Sequence, residues 1–134
     1  MAAIAVTTAG RIRIVESIEQ ATLPAGEAIL AGAPVRFDTS GNFVNGNATT
    51  STEAAIYGIA TSSVAANEAL TAVKKGVLDG FTLNGAFGSL AYVSDTDATI
   101  ADAAGTVSVV VGRVIAAKGQ QIGTAADKLL AVNL

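Results

Sequence analysis

Cysteine, histidine and tryptophan are all absent from this 134-residue chain. Without cysteine there is no disulfide framework, no thiolate metal site and no thiol nucleophile. Without histidine the commonest general base, the usual zinc ligand and any Ser-His-Asp arrangement are lost together. Aromatic residues amount to only 4%, which leaves few platforms for stacking bases. Charge is scarce as well: 14% of residues are charged, against roughly 25% in an average soluble domain. The net charge is −3, so a phosphate backbone is repelled on average and nucleic acid is not expected as a partner. No apolar run approaches the ~18 residues of a spanning helix, so no membrane partner is expected either. Residues 1–10 are apolar but no basic region precedes them, and a secretion signal is not expected.

Hydrophobic residues make up 51% of the chain, the opposite of a disordered tail. The length suits one domain that buries about two-thirds of its unfolded surface. With so little charge to cover a monomer, part of the apolar surface is expected to lie against other chains.

Turn signals are frequent: Pro24-Ala25-Gly26, Ser40-Gly41-Asn42, Asn45-Gly46-Asn47, Asn84-Gly85 and Lys118-Gly119. Between them lie short runs rich in β-branched residues. Arg11-Ile12-Arg13-Ile14-Val15 alternates, which places Ile12 and Ile14 on one face of a strand. Val109-Val110-Val111 does not alternate, which suits a strand covered on both faces. This spacing predicts an all-β domain, mainly antiparallel, folded as a β-sandwich or small barrel with at most one or two short helices. The helix expected is residues 99–104, between a cap at Asp97 and Gly105.

The chain also repeats itself. Gly32-Ala33-Pro34-Val35-Arg36-Phe37-Asp38 is followed by Tyr57-Gly58-Ile59-Ala60; Gly88-Ser89-Leu90-Ala91-Tyr92-Val93-Ser94 is followed by Val111-Gly112-Arg113-Val114. Each phrase continues into a small-residue turn, beginning at Ala65 or Ala116, and then an apolar strand. The reading is an extended arm over residues 1–10 and one β domain over 11–134, with pseudo-repeats at about 23–79 and 80–134.

These phrases resemble the bacteriophage capsid cement (head decoration) proteins built as two copies of one β unit. The resemblance rests on the apolar strand of residues 32–38, the Tyr57-Gly58-Ile59-Ala60 phrase, the turn at 65–68 and the Lys75-Gly76-Val77 ending. It covers roughly residues 23–132. Arg113 stands where the pattern has an apolar residue, and the second closing strand lacks the Gly-Val pair. The resemblance implies a structural virion protein, made in the host cytoplasm, that sits on the outer surface of the capsid. Its implied partners are the major capsid protein and itself, as a homotrimer.

Few residues invite a chemical role. Asp95, Asp97 and Asp102 are the only acidic group, and the EF-hand positions for Gly and Glu are Ile100 and Thr106 here. A turn and a cap explain the aspartates better than a metal. Asn47-Ala48-Thr49 is a glycosylation sequon without a secretion signal, and Ser62-Ser63 has no Gly-x-Ser-x-Gly context. No catalytic residue, cofactor, metal site or small-molecule substrate is expected.

The partner-binding candidates are Ala3, Ile4 and Val6 in the arm, Ile12 and Ile14 in the first strand, and the basic pair Lys74 and Lys75. An apolar arm suits addition to a partner's sheet edge, and decoration proteins often engage capsid subunits through N-terminal segments. The lysines suit an acidic patch or a shielded edge. The competing class is a virion or cell-surface module that recognises carbohydrate or another receptor, against which the missing tryptophan and scarce tyrosine argue. A hydrolase has the least support.

Overall fold

The computed structural model of the chain describes residues 2–7, 12–116 and 128–134. They contain ten strands and no helix: β1 (Ala3–Ile4), β2 (Arg13–Pro24), β3 (Pro34–Phe37), β4 (Phe43–Asn45), β5 (Gly58–Ala60), β6 (Ala69–Asp79), β7 (Leu90–Val93), β8 (Ile100–Ala101), β9 (Val110–Ala116) and β10 (Lys128–Asn133). They form one sheet, ordered β1-β8-β7-β9-β10-β6-β5-β3-β4, with β2 also paired to β6. The sheet is antiparallel and curls into a half-barrel. The all-β class expected from the turn spacing is the one the chain adopts. Arg11 and the turn of the second phrase beyond Ala116 lie outside the described residues.

β6 organises the sheet. β2 follows one of its edges from Arg13, opposite Asp79, to Pro24, opposite Ala69. Along the other edge β5 comes first, with Ile59 opposite Val73, and β10 second, with Leu130 opposite Leu78. The interior divides into two cores. Ile29, Val35, Phe43 and Leu70, all from the first unit, fill the first; the second draws on both units, with Ile59 beside Val93, Ile100, Val111 and Leu130. Each such side chain contributes about 1.5–3 kcal/mol when fully buried. Val73 and Leu78 reach the same core although five residues apart. A period of two would set them on opposite faces. The register shift between Glu19 and Gln20, which passes over Lys74, accounts for the change of face.

The strand order repeats. In the first unit β3 pairs with β4 and β5, and β5 with β6; in the second β7 pairs with β8 and β9, and β9 with β10. The turns that open the units also match, since Gly32 and Gly88 both have φ 88°. A side chain is strained at that angle, so glycine is required at both. The Gly32 N–H donates to the Ala60 carbonyl (2.8 Å) and the Ala60 N–H to Ala33 (2.9 Å). In the second unit Gly88 donates to Val114 (2.7 Å) and Val114 to Ser89 (2.9 Å). Two sequence phrases thus make the same backbone bonds.

Residues 99–104 are not helical. Ala98 has φ 58° and donates its N–H to the Gly46 carbonyl, and the Ser94 N–H donates to the Thr99 carbonyl. The chain therefore reverses, and Ile100 is buried as β8 opposite Val93. Asp97 does not cap a helix; its Oδ1 accepts from the Asn47 amide (3.1 Å). The expectation that residues 109–111 are covered on both faces also fails. Val111 is fully buried, whereas Val110 is 40% exposed, because β9 presents only one face to the core.

The arm expected over residues 1–10 is, over residues 2–7, part of this chain's own sheet. Ala3 and Ile4 pair with Ala101 and Ile100, and the Asp102 N–H donates to the Ala2 carbonyl. Val6 bridges Phe81, the Thr7 N–H donates to Gly80 and the Thr82 N–H donates to Ala5. Residues 80–82 continue from the end of β6, so the segment joins β8 back to that strand. Every backbone group it satisfies would otherwise be an open edge.

Candidate interaction surface

The strand that starts best on sequence grounds is the one the fold covers least. β2 is the outer neighbour of β6, and no strand among the described residues pairs with its other edge. From Arg13 to Gln20 every residue is exposed. Three of them are large and apolar: Ile14 is 38% exposed, Val15 47% and Ile18 71%. The register against β6 shifts between Ile14 and Glu16 and again between Ser17 and Glu19, so Val15 and Ile18 lack direct partners. Shifts of this kind usually blunt an edge. Here the unpartnered residues are hydrophobic and solvent-facing.

The other partner-binding candidates fall in different places. Ile12 is buried in the second core, which removes it from any surface. Ile4 and Val6 are half-buried against the same core, and Ala3 lies exposed on β1. Lys74 lies 5.6 Å from the centroid of the Tyr57 ring, a cation–π contact inside the chain. Burial raises the Tyr57 hydroxyl above its ordinary pKa, and the nearby Glu19 carboxylate adds to the rise. Lys75 is exposed, opposite Glu19 on β2. Ile14 and Lys75 therefore share the β2–β6 ribbon, while the other five candidates do not present an open edge.

Further exposed apolar side chains occur at the turns that open the two units. Leu30 is 71% exposed in the first, and Phe87 is exposed in the second with the Lys128 ammonium 5.4 Å from its ring centroid. Phe37 is also exposed and stacks on buried Phe43 at 5.4 Å. Sequence reasoning passed over all three, although Leu30 and Phe87, at turn positions ordinarily held by polar residues, carried a signal.

The polar motifs serve the fold. Asp95 accepts the N–H (2.8 Å) and hydroxyl (2.9 Å) of Thr106, and Asp102 accepts the Ala2 N–H (2.8 Å). The sequon asparagine, Asn47, is buried; its Oδ1 accepts from the Thr49 N–H and hydroxyl. The Ser63 hydroxyl accepts the Ala31 N–H. Among the described residues no three Asp or Glu converge on a possible cation position. Melting in EDTA and in added Ca²⁺ is expected at the same temperature. A difference of many degrees would mean that the aspartates bind calcium.

Comparison with known proteins finds no matching family model, no similar curated protein and no similar solved structure.

Proposed function

We propose that this chain is a structural virion protein that binds the outer surface of an assembled phage head and stabilises it, acting as a homotrimer and not as an enzyme. The observation that carries this reading is the repeat. The two phrases on which the likeness to two-copy cement proteins rests adopt one strand order and one set of turn hydrogen bonds, at Gly32 and Ala60 and again at Gly88 and Val114. The low charge and the exposed Leu30, Phe37 and Phe87 support it further, since they suit contacts made with another protein.

The physics needs no catalyst. A protein that binds the assembled shell in preference to free capsid subunits stabilises the shell by mass action. Weak individual contacts suffice when several act from one oligomer.

The test uses heads that lack this protein. The purified chain should co-sediment with them saturably and raise the temperature at which they disrupt. Leu30→Ser should lower the bound fraction several-fold at unchanged melting temperature, because that side chain is 71% exposed. Phe87→Ser should lower it similarly with a small loss of stability, since it also gives up the Lys128 contact. Heads that sediment without the chain would overturn the reading.

A further inference from the structure

We infer that the open edge of β2 is a contact between two copies of this chain, related by a two-fold axis with their β2 strands antiparallel. This goes beyond the binding of a shell, and it adds a contact that a trimer by itself does not contain.

The first observation is the edge. Among the described residues the twelve of β2 are paired on one side only, and the exposed stretch carries Ile14, Val15 and Ile18. A long apolar edge invites another strand, and soluble proteins normally shield such edges with lysine, proline, a bulge or a covering loop. β2 has bulges at Val15 and Ile18, but each leaves an apolar side chain exposed. Between Arg13 and Gln20 there is neither lysine nor proline.

The second observation is charge, and it selects the occupant. Arg13 stands at the start of the exposed stretch and Glu19 near its end, with Ile14, Val15 and Ile18 between them beside Glu16 and Ser17. A strand with a basic end and an acidic end is complementary to itself reversed. Antiparallel pairing about the middle of the stretch sets Arg13 opposite Glu19 of the second copy, and Ile14 opposite Ile18. Parallel pairing would stack arginine on arginine and glutamate on glutamate. Arg13 already makes an ion pair with Asp79 at 2.8 Å, with its side chain 76% exposed. That pair orients the guanidinium, which has further donors for a second carboxylate. Near the axis the two Glu16 side chains approach each other. Such a like-charge pair in water costs about 0.2–1 kcal/mol, less than the burial of four isoleucines contributes. A two-fold contact of this kind is isologous and closes on itself. Where trimers form, it joins one trimer to the next.

The chain contains no cysteine, so one introduced thiol reports the contact. Glu16→Cys, which this pairing places opposite its own copy at the axis, should give a disulfide-linked dimer under mild oxidation, with conversion approaching completion. Ser40→Cys, on an exposed turn remote from β2, should remain monomeric on a non-reducing gel. In the Glu16→Cys background, Arg13→Glu or Glu19→Arg alone should slow cross-linking at least fivefold, and the two together should restore it. Melting curves confirm that each variant is folded. No dimer would overturn the inference. So would a yield that stops at two-thirds of the chains, as a three-fold contact requires, or a double variant no faster than the single ones. Because no heads are involved, failure here leaves the capsid reading standing, and failure to bind heads leaves this contact standing.

Discussion

Deleting residues 1–10 is expected to lower the melting temperature by about 15 °C. The segment was attractive as a free arm because it is apolar and carries no turn signal, but its place in the sheet argues otherwise. Residues 2–7 exchange backbone hydrogen bonds with β8 on one side and with residues 80–82 on the other. Removing them exposes those bonds and uncovers Phe81, which is only 6% exposed. Ile4 and Val6 lose their half-buried positions against the second core. Two half-buried side chains and several backbone bonds amount to about 4 kcal/mol. A domain of this size shifts by about 4 °C for each kcal/mol. Differential scanning calorimetry of the deletion and of Val6→Asp provides the measurement. An unchanged transition in both would mean that the segment adds nothing to the fold and is available as an arm.

Gly112→Ala is expected to destabilise by about 3 kcal/mol, with Gly58→Ala close behind. In a strand interior the exchange of glycine for alanine ordinarily stabilises, by roughly 0.5–1 kcal/mol, because glycine has more freedom to lose on folding. Space reverses the sign here. A Cβ on Gly112 would run into the Ala131 carbonyl oxygen of β10, and one on Gly58 would lie 2.6 Å from the Val73 carbonyl oxygen of β6. Both obstacles are backbone, so relief requires the paired strand to move. The two glycines occupy the same place in the two units, on β5 beside β6 and on β9 beside β10. Chemical denaturation of the two variants should therefore give losses of the same sign and similar size. A stabilised Gly112→Ala would mean that the close approach does not exist in solution.

Much of this architecture was legible before the strands were paired. Turn signals at Pro24, Gly41, Gly46 and Gly85 bound the runs that became strands, and the phrases around Gly58 and Gly112 marked the repeat. Such features are local. A glycine at φ 88° or an aspartate such as Asp38, whose carboxylate takes the N–H groups of Ser40 and Asn42, acts within a few residues of chain. The Asn42 N–H is the main reason the Asp38 carboxyl is held below its ordinary pKa. The same local reading had a signal for the N-terminal segment that went unused. Large Ile4 and Val6 alternate with small Ala3 and Ala5, and only the large pair turns toward the core.

The amino-acid sequence by itself determined that this chain forms antiparallel strands, that it does so in two related units, and that neither histidine nor cysteine chemistry is open to it. Alternation, turn residues and composition act at short range and do not depend on which strand lies beside which. Tertiary structure decided the rest. Ile12 and Ile14 look equivalent in sequence, yet one is buried in a core and the other is exposed on an edge. Residues 99–104 have the composition of a short helix, yet the reversal at Ala98 makes Ile100 a core strand residue opposite Val93. Which apolar strand is covered depends on register and on partners far away in the chain. β6 can take only one neighbour along its outer edge, and that neighbour, β2, is left with its own outer edge unpaired among the described residues.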